Sequence, residues 1–106
     1  MQNTIERIQK EITADKVVIF MKGTPDSPQC GFSARSVEIL KATGRPFHAV
    51  DILANPDIRA TLPQVSNWPT FPQIFVDGKL VGGCDILSEM NERGELKPLI
   101  EGAFKS

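Results

Sequence analysis

Cys30 and Ser33 bracket Gly31 and Phe32 in the stretch CGFS. Redox enzymes often carry two thiols at this spacing, so that the second attacks the mixed disulfide made by the first and releases the substrate. Ser33 cannot take that part. Its hydroxyl is a poor nucleophile without an activating base, and no histidine or acid adjoins it in sequence. Two uses remain for a lone thiolate. It can form a mixed disulfide that an outside thiol resolves, or it can be a soft metal ligand whose co-ligands come from elsewhere. One thiolate is too few for zinc or for an iron–sulfur cluster, and a [2Fe–2S] cluster commonly takes four. Two chains would provide two, and a small thiol the other two. Omitting the second cysteine also removes an internal disulfide that would compete with such binding. The alternative for each cysteine is a small buried hydrophobe.

Other residues bear on that thiol. Cys30 stands where a loop meets a helix, and the free N–H groups of a helix start favour a thiolate. Lys22 begins the same loop and can place positive charge near the thiol or near a docked anion; the alternative is a solvated loop lysine. Gly82-Gly83 precedes Cys84-Asp85. Glycines let backbone approach a ligand closely, and the helix that follows offers N–H groups to a carboxylate. Asp85 can accept from an ammonium group, so a ligand with both a carboxylate and an amine would suit this pair. Taken alone, GGCD is only a turn and a helix cap. Trp68 beside Pro69 is read either as part of the site or as a core plug. His48, the single histidine, is read as a structural or surface residue, which makes a Ser–His–Asp triad a poor reading.

The elements that must position these residues follow from periodicity. Ile5, Ile8 and Ile12 share a face of a helix over 3–13, with Asn3 and Glu6 as a capping box. VVIFM, residues 17–21, is a buried strand. Residues 22–29 are a loop crowded with Gly, Pro, Asp and Ser. A helix over 31–42 turns Ala34, Val37, Leu40 and the stem of Lys41 toward a sheet, and Gly44 and Pro46 stop it. Residues 47–52 form a second strand, parallel to the first through a βαβ crossover. Asn55-Pro56 opens a helix reaching to about Leu62, with Asp57 in its first turn and Pro63 beyond. QIFV, the Asp77-Gly78 turn and KLV form a hairpin, Phe71-Pro72 begins the first of its strands, and helices near Asp85 and near Leu96–Ile100 close the chain. A central sheet with helices on both faces results, and its loops at strand ends are where such sheets place their sites.

The 106 residues fit one domain, 1–106, with 41% hydrophobic and 24% charged residues, an ordinary globular composition. A formal charge of -1, from 12 basic and 13 acidic residues, predicts no field for nucleic acid or anionic lipid. No apolar run approaches the ~20 residues of a membrane helix. The amphipathic, acid-containing N-terminus resembles neither a signal nor a transit peptide. Two cysteines without a secretion signal suggest the cytosol.

KGTPDSPQCGFS, WPTFPQIFVDGKLVGGCD and NPDIR together resemble a monothiol glutaredoxin of the CGFS type, with similarity from Thr4 to about Ile100. The long loop between Lys22 and Cys30 is also the monothiol form. The resemblance implies a thioredoxin-like fold, a four-stranded mixed sheet flanked by helices. It implies that Cys30 carries glutathione or binds iron, and that glutathione is held by Lys22, Arg59, Thr70, Phe71, Cys84 and Asp85. Lys22 and Arg59 would meet its glycine carboxylate. Thr70 would pair with its cysteinyl backbone beside a cis Pro72, and Cys84 and Asp85 would receive its γ-glutamyl end. Two chains and two glutathiones would bridge one [2Fe–2S] cluster, with BolA-like proteins and apo acceptors of clusters as partners. The rival function is reduction of glutathione mixed disulfides by a monothiol route. A third possibility is a disulfide between Cys30 and Cys84 under oxidation.

Overall fold

Strand β1 (Val17–Met21) is buried along its whole length because every side chain in it is apolar and a sheet buried on two faces has room for all of them. The computed structural model describes residues 3–105. The elements run α1 (Asn3–Ile12), β1, β2 (Gly23–Thr24), β3 (Ser27–Pro28), α2 (Gly31–Ala42), β4 (His48–Asp51), α3 (Pro56–Ser66), β5 (Gln73–Val76), β6 (Lys79–Gly82), α4 (Cys84–Glu92) and α5 (Leu96–Lys105). The main sheet has the order β4-β1-β5-β6. β1 pairs parallel with β4 and antiparallel with β5, and β5 pairs antiparallel with β6. This is the four-stranded mixed sheet that the resemblance implies.

Side chains alternate across it as a period of two requires. Val17, Ile19 and Met21 point to one face, with Val37 and Leu40 of α2, Leu87 of α4 and Ile100 of α5. Val18 and Phe20 point to the other, with Ile8 and Ile12 of α1 and Ile58 and Leu62 of α3. Phe20 meets Phe75 edge-on, ring centroids 5.6 Å apart, a favoured aromatic geometry. Asp77 and Gly78 both take positive φ, 53° and 78°, at the tight β5–β6 turn.

Five local expectations change. Ile5 is exposed, because the first turns of α1 meet α3 through polar groups instead: Thr4 Oγ1 donates to Asp57 Oδ2 (3.1 Å), and Arg7 binds Asp57 and Asn55. Asn3 lies within α1, and its side chain makes no hydrogen bond, so it does not form the cap. On α2, Lys41 is exposed and Ala34 only half-buried, while Ser33 and Ser36 are fully buried. α3 continues through Pro63 to Ser66. The proline removes one bond to the Arg59 carbonyl, yet the helix runs on and closes at Asn67 in the left-handed region, where Trp68 N–H reaches the Pro63 carbonyl (3.2 Å). Finally, residues 22–29 are not an open loop. Gly23 pairs with Pro28 and Thr24 with Ser27 in a small hairpin. Pro25-Asp26 at its tip suits a type I turn, and Ser27 N–H donates to Thr24 Oγ1 (3.1 Å).

Candidate functional site

Cys30 is the residue immediately before α2, with extended backbone (φ -155°, ψ 136°), and its side chain sits at the helix start without a capping hydrogen bond. Its pKa is lowered. The largest influence is the Ser33 N–H. Partial burial opposes it, and the Phe32 N–H, the Ser33 hydroxyl and the charge of Lys22 lower the pKa further. Cys30 is half-buried and lines the cleft described below.

Ser33 is fully buried. Its Oγ accepts the Lys22 N–H at 3.1 Å. The residue in the second-thiol position therefore ties the Cys30 turn to the segment that carries Lys22. That segment is fixed from its other side by Gln29 N–H on the Lys22 carbonyl (2.9 Å) and Gly23 N–H on Asp51 Oδ1 (2.9 Å). Gly23 is required here. Its φ is +89°, and a Cβ would lie 2.5 Å from the Ser27 carbonyl oxygen.

A cleft of about 650 Å³ runs from Cys30 across the sheet end, and Lys22, Arg59, Thr70, Phe71, Pro72, Cys84 and Asp85 all line it. Every residue expected at the site is thus brought to one cavity. Among the described residues, neither Lys22 nor Arg59 enters an ion pair, which leaves two cations to an anionic ligand. A cis peptide joins Phe71 to Pro72 just before β5. Buried Gln73 holds the preceding segment: its Nε2 donates to the carbonyls of Trp68 (2.9 Å) and Thr70 (3.2 Å). At the far end α4 begins at Cys84, one residue earlier than expected, and Gly83 before it has no side chain to cap the first-turn N–H groups. Those donors and the Asp85 carboxylate suit a ligand with both a carboxylate and an amine.

Phe32, Pro63, Trp68, Pro69, Gly83 and Ile86 complete the lining. Trp68 is half-buried and walls the cleft instead of plugging the core. A Cβ on Gly83 would stand 3.2 Å from the Pro72 carbonyl oxygen and 3.4 Å from Trp68 Nε1, so glycine permits that packing. Phe32 sits inside CGFS, and its 62% exposure is the property its sequence position could not reveal. His48 lies elsewhere, paired with Glu11 at 2.6 Å, in keeping with a structural or surface residue. Both cysteines are free thiols.

The glutaredoxin family model matches residues 17–81, and glutaredoxin 4 of Escherichia coli (strain K12) is 58% identical over 101 residues, covering 95% of this chain and 88% of that relative. The chain belongs to the glutaredoxin family. Glutaredoxin 4 of Pasteurella multocida (strain Pm70) is 57% identical over 97 residues, covering 92% and 89%. Reduced poplar apo GrxS14 shares the fold at a TM-score of 0.84 with 49% identity, covering 96% of this chain and 94% of that one. With serine at position 33, this glutaredoxin is of the monothiol type, and its fold is thioredoxin-like. No described helix is long and apolar enough to cross a membrane.

Proposed function

We propose that this glutaredoxin binds a [2Fe–2S] cluster together with glutathione, shared between two copies of the chain, and delivers it to apo acceptor proteins in the cytoplasm. The observation that carries the reading is the pairing of a thiolate-prone Cys30 with a buried Ser33 whose oxygen is already engaged by Lys22. A protein thiol is ready at the cleft, and the second-thiol position holds no thiol. Among the described residues, no group of three or more His, Cys, Asp and Glu side chains is placed to hold a metal ion. A cluster on Cys30 therefore needs ligands from outside the chain.

The two cations, unpaired among the described residues, and the polar far end of the cleft support glutathione as the source of one such ligand. Lys22 and Arg59 would hold its glycine carboxylate, Thr70 and Phe71 beside Pro72 its cysteinyl backbone, and Cys84 and Asp85 its γ-glutamyl end. So held, the tripeptide would present its thiol toward Cys30. A small-molecule ligand exchanges readily, so the cargo would be released more easily than from four protein cysteines, which suits delivery. BolA-like proteins would be alternative partners to the second copy.

Anaerobic incubation with iron, sulfide and glutathione should give a visible-absorbing species that converts an apo acceptor to its holo form. Loss of that species in Cys30→Ser is expected. Its persistence in the variant would rule the reading out. The low-pKa thiol at the cleft also favours a second reading, monothiol reduction of glutathione mixed disulfides. Cys30 thiolate would attack the glutathione sulfur and release the protein thiol; a second glutathione thiolate would then attack the Cys30–glutathione bond and leave glutathione disulfide. Rapid turnover of a glutathionylated substrate by the cluster-free form, with glutathione reductase, would favour that route.

A further inference from the structure

Lys22 and Arg59 come from segments far apart in the chain, yet both line one cleft. Asp51 joins those segments. It ends β4 opposite Met21, the last residue of β1, and is absent from the cleft lining. A single carboxylate oxygen, Oδ1, accepts the Gly23 N–H at 2.9 Å and the Leu53 N–H at 2.9 Å. The first bond holds the hairpin directly after Lys22. The second bends the chain into the β4–α3 connection. The Asp51 carbonyl continues the task, accepting Asn55 Nδ2 (2.9 Å) and Ala54 N–H (3.2 Å). Asn55 precedes α3, and its own carbonyl accepts the Arg59 N–H (3.1 Å). The Asp51 side chain thus holds the backbone directly after Lys22 and the start of the β4–α3 connection, while its main-chain carbonyl reaches Arg59 only by way of Asn55.

We propose that Asp51 is a positioning residue that sets Lys22 and Arg59 in register for the carboxylate of an anionic ligand. The ligand part rests on the glutathione reading above; the latch itself does not. Position and charge have opposite signs here. As a negative charge bonded to the segments that carry the two cations, Asp51 would weaken an anion's attraction, so removing it should tighten binding. As an anchor it strengthens binding, so removing its oxygen should weaken it. Asp51→Asn keeps an oxygen in the Oδ1 position and loses the charge, whereas Asp51→Ala loses both.

The experiment measures affinity for S-methylglutathione, which lacks a free thiol, in the wild type and both variants, following the single tryptophan, Trp68, in the cleft wall. Amide exchange at Gly23 and Leu53 is recorded in parallel. Asp51→Ala should bind about five-fold more weakly, the worth of one ordinary hydrogen bond, and Asp51→Asn should restore wild-type affinity or exceed it. The Gly23 and Leu53 amides should be protected in the wild type and in Asp51→Asn and exposed in Asp51→Ala. Tighter binding by both variants, or affinity unchanged in Asp51→Ala, overturns the proposal. Fast exchange of these amides in the wild-type protein overturns it too, even should Asp51→Ala fail to fold. A wild-type chain that ignores the probe refutes the glutathione reading, and the amides alone then decide whether the latch exists.

Discussion

Ser33→Ala separates the two tasks given to this serine. The side chain is fully buried, and its oxygen accepts the Lys22 N–H at 3.1 Å. Alanine fits the space but leaves that N–H without a partner. A buried unsatisfied donor costs about 1–3 kcal/mol. Lys22 is only half-buried, so water can reach part of the segment and the lower end applies, about 1 kcal/mol. For a domain near this size that lowers the melting temperature by roughly 4–8 °C. The same change removes the hydroxyl, one of the lesser influences that lower the Cys30 pKa, so the cysteine pKa should rise. The Ser33 N–H, the largest influence, is untouched by the substitution, so the pKa should stay below that of an ordinary cysteine. The assay is the rate of iodoacetamide alkylation against pH, with thermal unfolding on the same samples. The wild-type profile should rise at lower pH than a free cysteine, and the variant's should move partway back upward. An unmoved profile together with an unchanged melting temperature would show that Ser33 neither supports the thiolate nor holds Lys22.

Lys22→Gln and Arg59→Gln should each weaken glutathione binding by about five-fold, since both side chains are solvent-accessible and one such contact is worth about 1 kcal/mol. Titration at low and high salt should show the wild-type advantage shrinking as ions screen it. Gly23→Ala should destabilise the chain by more than about 1 kcal/mol in urea unfolding, because φ is +89° and the new Cβ meets backbone atoms at 2.5 and 2.7 Å. It should also slow Cys30 alkylation at neutral pH by moving Lys22.

The parts of the fold legible in the sequence are those set by local chemistry. Five consecutive apolar residues, β-branched at the start, read as a buried strand, and β1 is buried along its whole length. Asp77-Gly78 announced its turn through residues that tolerate positive φ. That CGFS, WPTFPQ and GGCD meet at one site was implied by the resemblance to monothiol glutaredoxins, and residues of all three line the cleft. The rest depends on partners distant in sequence. Ile5 has the spacing of a core residue, but polar contacts between α1 and α3 take its place. Pro63 stays inside α3 because Ile58 and Leu62 bury against the sheet on either side of the Arg59 turn. Ser33 and Asp51 reveal their roles only through bonds spanning 11 and 28 residues. The hairpin over 22–29 carried its signal in Thr-Pro-Asp-Ser, yet its fixed position comes from Asp51 and the Lys22 carbonyl.

Native mass spectrometry after anaerobic loading with iron, sulfide and glutathione tests most directly whether Cys30 shares cargo with the tripeptide across two chains. The predicted ion contains two chains, one [2Fe–2S] unit and two glutathiones, and it vanishes when glutathione is withheld. A cluster retained by a single chain, or loaded equally well without glutathione, would contradict the account.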